Sequence, residues 1–173
     1  MPVDATEYST ALRQYAAGVV LMTVQDDIDD VGTTVTSVMS VSADPPLIAV
    51  GLAAEGYPAE VLETVGSCAV NVLTSRQALL ASRFSSAGRP SARHLLEQVP
   101  WHRAEHSGAI VLDGALTALD CRLTSLVPAG SHVLALLTVE AVPVLGGDGD
   151  PLLRLRGRWT DGAGHVLRRP AGG

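Results

Sequence analysis

The chain has 173 residues, 47% of them hydrophobic and only 17% charged, with a formal net charge of −6. That length suits a single domain with a substantial core, and the acidic balance argues against a general nucleic-acid surface. No apolar run reaches the roughly 18–20 residues that span a bilayer, and the N-terminus lacks the basic start and apolar stretch of a secretion signal.

The expectation is therefore one domain over residues 1–162, cytosolic, with no membrane or nucleic-acid partner, followed by a flexible tail over 163–173. Cys68 and Cys121 stand singly, without CxxC spacing, and read as free thiols in apolar strands. The surplus of apolar residues predicts a buried subunit interface, and hence a homodimer. Two arginine bunches, Arg83, Arg89 and Arg93, then Arg154, Arg156 and Arg158, interrupt the acidic balance and suit an anionic small molecule.

Along the chain, residues 4–16 predict an amphipathic helix. Asp4 and Glu7 have capping-box spacing, and Tyr8, Ala11, Leu12 and Tyr15 form an apolar stripe. Gly18–Val24 reads as a buried strand and Asp26–Asp30 as an acidic, solvated turn. Residues 32–42 alternate strictly. Thr34, Thr36, Val38, Ser40 and Ser42 would share one face of a single strand, a nearly all-hydroxyl face that stops at Pro45-Pro46.

Leu47–Ala53 is a third strand. Pro58–Val65 is a short helix with Pro at its start and Gly66 past its end. Ala69–Leu73 is a fourth strand, and Thr74 with Gln77 makes a capping box for a helix running to Phe84. Residues 85–108 read as a long irregular loop. Within it His102, Glu105 and His106 mimic metal spacing, but no third ligand completes a set, so no metal is expected. Segments 110–127, 132–144 and 151–160 complete the strands. Many strands, few helices and no βαβ rhythm predict an α+β, mostly β chain built on an antiparallel barrel.

On alternation alone, a hydroxyl-rich edge strand would explain residues 32–42. The order Gly32, Thr34, Ser40-Val41-Ser42, Pro45-Pro46-Leu47 nevertheless resembles the flavin-contacting segment of the flavin reductase-like, FMN-binding split-barrel family. Six further segments are similar to that family in order: Tyr15–Val19, Cys68–Leu73 with Asn71, Leu79–Phe84, Gly108–Cys121, Ala129–His132, and Pro151–Leu153 with Arg156–Arg158.

The resemblance implies an antiparallel split β-barrel of Greek-key type with two or three short flanking helices. It also implies hydride transfer from NADH or NADPH to FMN or FAD, with reduced flavin passing to a partner monooxygenase. The cofactor does the hard chemistry, so the protein need only hold the ring against the nicotinamide. That suits a motif with hydroxyls and no acid, base or nucleophile.

By the same resemblance Thr34, Val35, Thr36, Ser37, Ser40, Val41 and Ser42 would seat the flavin ring, and His132 would position the nicotinamide or assist transfer. His132 otherwise reads as an ordinary turn histidine. The usual phosphate hydroxyls are replaced at Ala53–Pro58, which leaves Ala53, Gly56 and Tyr57, with Arg83, Ser85 and Arg89, as candidates. Phe84 could stack on an adenine or fill the core. An aromatic of the family stands where this chain has Arg154, which favours an alternative: a flavin-binding barrel without efficient reductase activity.

Overall fold

The computed structural model describes residues 3–86, 88 and 91–167. Helix α1 (Ala5–Leu12) precedes strands β1 (Ala17–Gly18), β2 (Val20–Val24), β3 (Val31–Val35), β4 (Val38–Ala43) and β5 (Pro46–Ala53). Helix α2 (Tyr57–Val65), β6 (Ser67–Val72), a 3-10 turn (Ser75–Gln77), α3 (Ala78–Phe84) and α4 (Ala92–Leu95) follow. The chain closes with β7 (Trp101–Arg103), β8 (Ile110–Leu112), β9 (Thr117–Ala129), β10 (His132–Leu145), β11 (Leu153–Leu155) and β12 (Arg158–Thr160).

Seven strands form an antiparallel sheet in the order β3-β2-β6-β9-β10-β5-β4. The expected single strand over residues 32–42 is in fact two strands at opposite ends of that order. Only Thr36 and Ser37 join them. A sheet whose two edge strands are consecutive in sequence must curl until its edges meet, and this curling makes the split barrel. Ser37 fastens the corner: its carbonyl accepts from the Gly51 amide at 2.8 Å, and its hydroxyl donates to the Gly51 carbonyl at 3.0 Å.

The hydroxyl face is broken a second time. Ser40 pairs with Ile48 but Ser42 pairs with Leu47, so Val41 is the extra residue of a β-bulge. Strict alternation fails across a corner and across a bulge, and the five even-numbered side chains do not share one face.

β2 is buried along its whole length because the sheet is covered on both sides. Val20, Met22 and Val24 point into the barrel with Val50, Leu52, Leu62, Val70 and Leu137. Leu21 points outward into a second core with Leu73, Phe84, Leu96, Ile110, Leu112 and Leu152. Asn71 lies fully buried between the layers. Its amide donates to the carbonyls of Leu21 and Ile110, both at 3.1 Å, and its oxygen accepts from the Leu112 amide at 2.8 Å. All of its strong hydrogen-bonding groups are engaged, so its burial carries no unpaired cost.

The helix signals hold. Asp4 caps α1 by accepting from the Thr6 and Glu7 amides, Pro58 opens α2, and Gly66 closes it at φ +76°. The Thr74 amide donates to Gln77 Oε1 at 2.9 Å, as the capping box requires. α1 is shorter than the expected 4–16 and buries no residue, so its stripe has no cover among the described residues. Segment 85–108 also differs from the expected loop, since it contains α4 and β7. Residues 163–167, expected in the tail, fold back along β12: Val166 bridges Thr160, and the Leu167 amide donates to the Trp159 carbonyl at 2.9 Å. Among the described residues no helix is long and apolar enough to cross a membrane.

One charged cluster ties the 91–108 excursion to the sheet. Asp30 ends the acidic turn with a fully buried carboxylate. It accepts from Arg93 Nε of α4 at 2.7 Å and from both terminal nitrogens of Arg103 on β7. Burial works against the ionised form, but the hydrogen bonds from Arg103 and Arg93 outweigh it and hold the carboxyl below its ordinary 3.8.

A carboxyl lowered on folding stabilises the fold above its ordinary range and loses that contribution as pH falls through the lowered value. Asp30→Asn is therefore expected to cost about 3 kcal/mol in urea unfolding at neutral pH. Its stability should also fall less steeply than the parent's below about pH 4. Equal stability of the two proteins at neutral pH would contradict this role.

Candidate functional site

The corner at Thr36–Ser37 sorts the hydroxyls of the sequence motif into two kinds. Thr34 is committed to the scaffold, donating to the Ala81 carbonyl of α3 at 2.7 Å, and Ser37 is committed to Gly51. Thr36, Ser40 and Ser42 make no side-chain hydrogen bond to protein among the described residues. Thr36 and Ser40 are exposed and Ser42 half-buried, so these three hydroxyls can meet a ligand. Val35 is in the barrel core, pairing with Val20. Val41, at the bulge, is 46% exposed.

A shallow strip runs from the corner along the outer face of β5 and β10. Gly51 pairs with Leu134, and Ala53 pairs with His132 two residues further along. A Cβ added to Gly51 would come within 2.9 Å of Ser37 Oγ, so only glycine lets the corner lie this close to β5. Alternation places the side chains of Leu134 and His132 on this same outer face, opposite the interior row of Val133, Ala135 and Leu137. His132 is exposed at the β9–β10 hairpin, its Nδ1 3.0 Å from Ser131 Oγ. The Ala54 amide donates to the Ser131 carbonyl at 3.0 Å and fixes the hairpin against the end of β5.

Two clefts flank β3. One, of about 580 Å³, lies between Val31–Gly32, the start of α2 at Gly56–Pro58, and Gly88, Ser91 and Ala92. The other, of about 550 Å³, lies between α1, the Thr36–Ser37 corner, and the turn carrying Arg154, Arg156 and Gly157. Both volumes suit a small-molecule site.

The two clefts differ in charge. Asp26, Asp29 and Asp30 line the first, and Tyr57 donates to Asp26 Oδ2 at 3.0 Å, which raises the phenol above its ordinary value. The second carries only arginines among its charged lining residues.

The remaining candidates separate accordingly. The Gly56 amide already donates to the Ala53 carbonyl at 3.0 Å, so it is not open to an anion as expected. Phe84 is 1% exposed and lies under Gly32, which makes it core and not an adenine platform. Arg83 and Ser85 sit at the end of α3, and the Ser85 hydroxyl donates to the Ser82 carbonyl at 2.9 Å. Arg89 lies outside the described residues. His102 pairs with Asp113 at 2.6 Å, and β7 holds it as one strand of the β7–β8 pair.

The structure adds residues that the sequence motif did not mark. Gly51 shapes the corner, while Tyr8, Tyr15 and Arg13 join the second cleft from α1 and the turn that follows it. The sequence signals here were the apolar stripe for Tyr8 and Tyr15 and the family resemblance for Tyr15, and spacing alone did not say what the stripe faces.

A flat, polar, nucleotide-sized group fits this arrangement. Thr36, Ser37 and the second cleft meet at this corner, and Ser40 and Ser42 carry open hydroxyls further along β4. No carboxylate, lysine or nucleophilic thiol lies on the Thr34–Ser42 segment itself.

The model of the flavin reductase-like domain matches residues 12–163. The chain is 36% identical over 155 residues to the NADH-dependent FMN reductase AsuE2 of Streptomyces nodosus subsp. asukaensis, covering 90% of this chain and 83% of that protein. It is also 36% identical over 149 residues to the NADPH-flavin oxidoreductase of Streptomyces viridifaciens, covering 86% and 76%. Among solved structures, it is similar to BorF, the flavin reductase component of a bacterial two-component tryptophan halogenase. The TM-score is 0.85 at 27% identity, over 96% of this chain and 100% of that one. By sequence and by fold, this chain belongs to the flavin reductase-like domain family.

Proposed function

We propose that the protein is an NAD(P)H-dependent flavin reductase that supplies reduced FMN or FAD to a partner monooxygenase. The carrying observation is the corner itself, where Thr36 keeps an open hydroxyl in a cleft beside the strip that ends in His132. Relatives named as an NADH-dependent FMN reductase, an NADPH-flavin oxidoreductase and the reductase component of 4-hydroxyphenylacetate 3-monooxygenase support the same reading.

Bound flavin and reduced nicotinamide together supply the hydride chemistry. The chain's own residues position and shield. Thr36 donates to or accepts from the polar edge of the ring, Ser40 and Ser42 offer further hydroxyls along β4, and Ser37 holds the corner rigid through Gly51. Gly51 leaves room for Ser37 to lie against β5, and Leu134 offers an apolar surface that excludes water beside it. His132 orients the nicotinamide from the far end of the strip. With its Nδ1 engaged by Ser131, the ring presents Nε2 outward. No general base is required of the corner.

The protein works as a homodimer in this reading. Strand β4 ends the sheet order and carries Met39 and Val41, 59% and 46% exposed, beside an edge left unpaired among the described residues. Tyr8, Leu12 and Tyr15 are also exposed. A second subunit covering these surfaces would enclose the corner. Met39→Lys is expected to shift the dimer toward monomer in analytical ultracentrifugation, whereas a parent sedimenting as a monomer at micromolar concentration would exclude the dimer.

The second reading, flavin binding without efficient turnover, draws on the acidic lining of the first cleft, where a flavin phosphate would meet Asp26 and Asp29. Mixing purified protein with NADH or NADPH, then adding FMN or FAD, separates the two. Flavin-dependent loss of reduced-nicotinamide absorbance is expected. Yellow protein without turnover selects the second reading.

His132→Ala should lower kcat about tenfold or more while leaving KM for flavin little changed, because positioning is lost and flavin contacts are not. Unchanged steady-state constants in that variant would remove His132 from the site.

A further inference from the structure

The second cleft holds a concentration of positive charge that no described residue neutralises. Arg13, Arg154 and Arg156 all line it, and among the described residues none has a carboxylate within ion-pair distance. In a chain of net charge −6, three arginines gathered without a counter-ion are conspicuous. The side chains of Arg154 and Arg156 are also held in place. The Arg156 amide donates to the Arg13 carbonyl at 2.9 Å, and Arg156 Nε donates to Gln14 Oε1 at 3.0 Å, which leaves its terminal nitrogens for another partner. The Arg154 guanidinium stacks on Trp159, 4.2 Å from the ring centroid, and the indole is itself fixed by donating to Ser82 Oγ at 2.7 Å.

The backbone adds a second observation. Arg156 and Gly157 form the two-residue loop of the β11–β12 hairpin, and both have positive φ, +49° and +74°. Such loops favour Asn, Asp or Gly at both positions, because a Cβ is disfavoured there. Arg156 is the sole non-glycine with positive φ among the described residues. A long cationic side chain at such a position costs the fold something, and the cost makes sense if the charge is used. Burial and the neighbouring charge of Arg13 both push Arg154 below its ordinary value, a repulsion that an anion between them would relieve.

We infer that Arg13, Arg154 and Arg156 form a phosphate-reading subsite, which binds the phosphate groups of a nucleotide whose reacting ring lies at the Thr36–Ser37 corner. The inference rests on the nucleotide chemistry of the proposed function and names where that nucleotide's charge goes. Planar guanidiniums suit phosphate oxygens, and Thr36 adds an open hydroxyl in the same cleft. Tyr8 and Tyr15, 57% and 72% exposed on the cleft's rim, offer rings against which a base can stack. In the first cleft Asp26 has no cationic partner among the described residues, which suits the same charge poorly. The phosphates belong either to the pyridine nucleotide or to the flavin, and two arms of the test tell these apart.

Arg154→Gln removes one charge. Arg156→Asn removes another and places a residue suited to positive φ in the turn, so that variant should melt no lower than the parent. With NADPH, NADH and FMN varied in turn, each substitution is expected to raise KM for the phosphate-bearing ligand about tenfold with kcat largely kept. A rise confined to NADPH and NADH assigns the subsite to the hydride donor, and a larger rise for NADPH means that the 2′-phosphate is read as well. A rise confined to FMN assigns it to the flavin.

Inorganic pyrophosphate, titrated calorimetrically into the protein with no flavin or nicotinamide present, is the readout independent of turnover. Binding that weakens about tenfold in both variants supports the subsite even if no reductase activity is found. Folded variants with unchanged pyrophosphate binding and unchanged KM for all three ligands would overturn it.

Discussion

Thr36 and Ser37 carry the chain from one edge of a seven-stranded sheet to the other, and the architecture of the site follows from that constraint. Two residues span only a few ångströms, so the strands on either side must be neighbours in space although they stand at opposite ends of the pairing order. The sheet therefore curls, its hydrophobic rows turn inward, and Val20, Met22, Val50 and Leu137 meet in one interior. At the seam regular pairing stops, and polar groups that a continuous ladder would have engaged are left for other partners. Ser37 fastens the seam through Gly51, while Thr36 remains open beside it.

Around this seam the molecule separates structural polarity from available polarity. Asn71, Asp30, Asp120 and Thr34 each engage named groups, and each joins an outlying element to the sheet. Asp120, 1% exposed, accepts from the amides of His106 and Ser107 and so shapes the turn before β8. These groups are costly to bury unpaired, so their pairing fixes where the α3, α4 and β7–β8 layers sit. The open Thr36 hydroxyl and the three arginines instead share a cleft at the seam. A scaffold made rigid in this way can leave its binding groups unsatisfied without losing the fold, which is what orientation of two flat cofactors demands.

Much of the fold was legible in the sequence because its signals are local. Caps at Asp4 and Thr74, Pro58 and Gly66 around α2, and the apolar strands at 20–24 and 47–53 depend on residues within one turn or one strand. The errors share a cause. Alternation over residues 32–42 is compatible with one straight strand or with two strands and a corner, and period two does not distinguish them. Phe84 satisfied helical spacing equally well as core or as a stacking platform, and only the proximity of Gly32, fifty-two positions earlier, decided for the core. The segment 85–108 looked irregular because the partner that orders it, Asp30, is distant in sequence.

The sequence by itself determined the strand-rich class, the helix boundaries, the family resemblance and the presence of a hydroxyl-bearing motif ahead of two prolines. All of these reside in residue type and short spacing, which the chain carries before it folds. Only the tertiary structure decided which hydroxyls are open and which are consumed, that Arg13, Arg154 and Arg156 share a cleft with Thr36, and that Asp26, Asp29 and Asp30 line the first cleft. Those properties depend on long-range pairing and on the balance of charge across space. No local pattern encodes them, because a side chain becomes available to a ligand only through what the rest of the fold leaves it without.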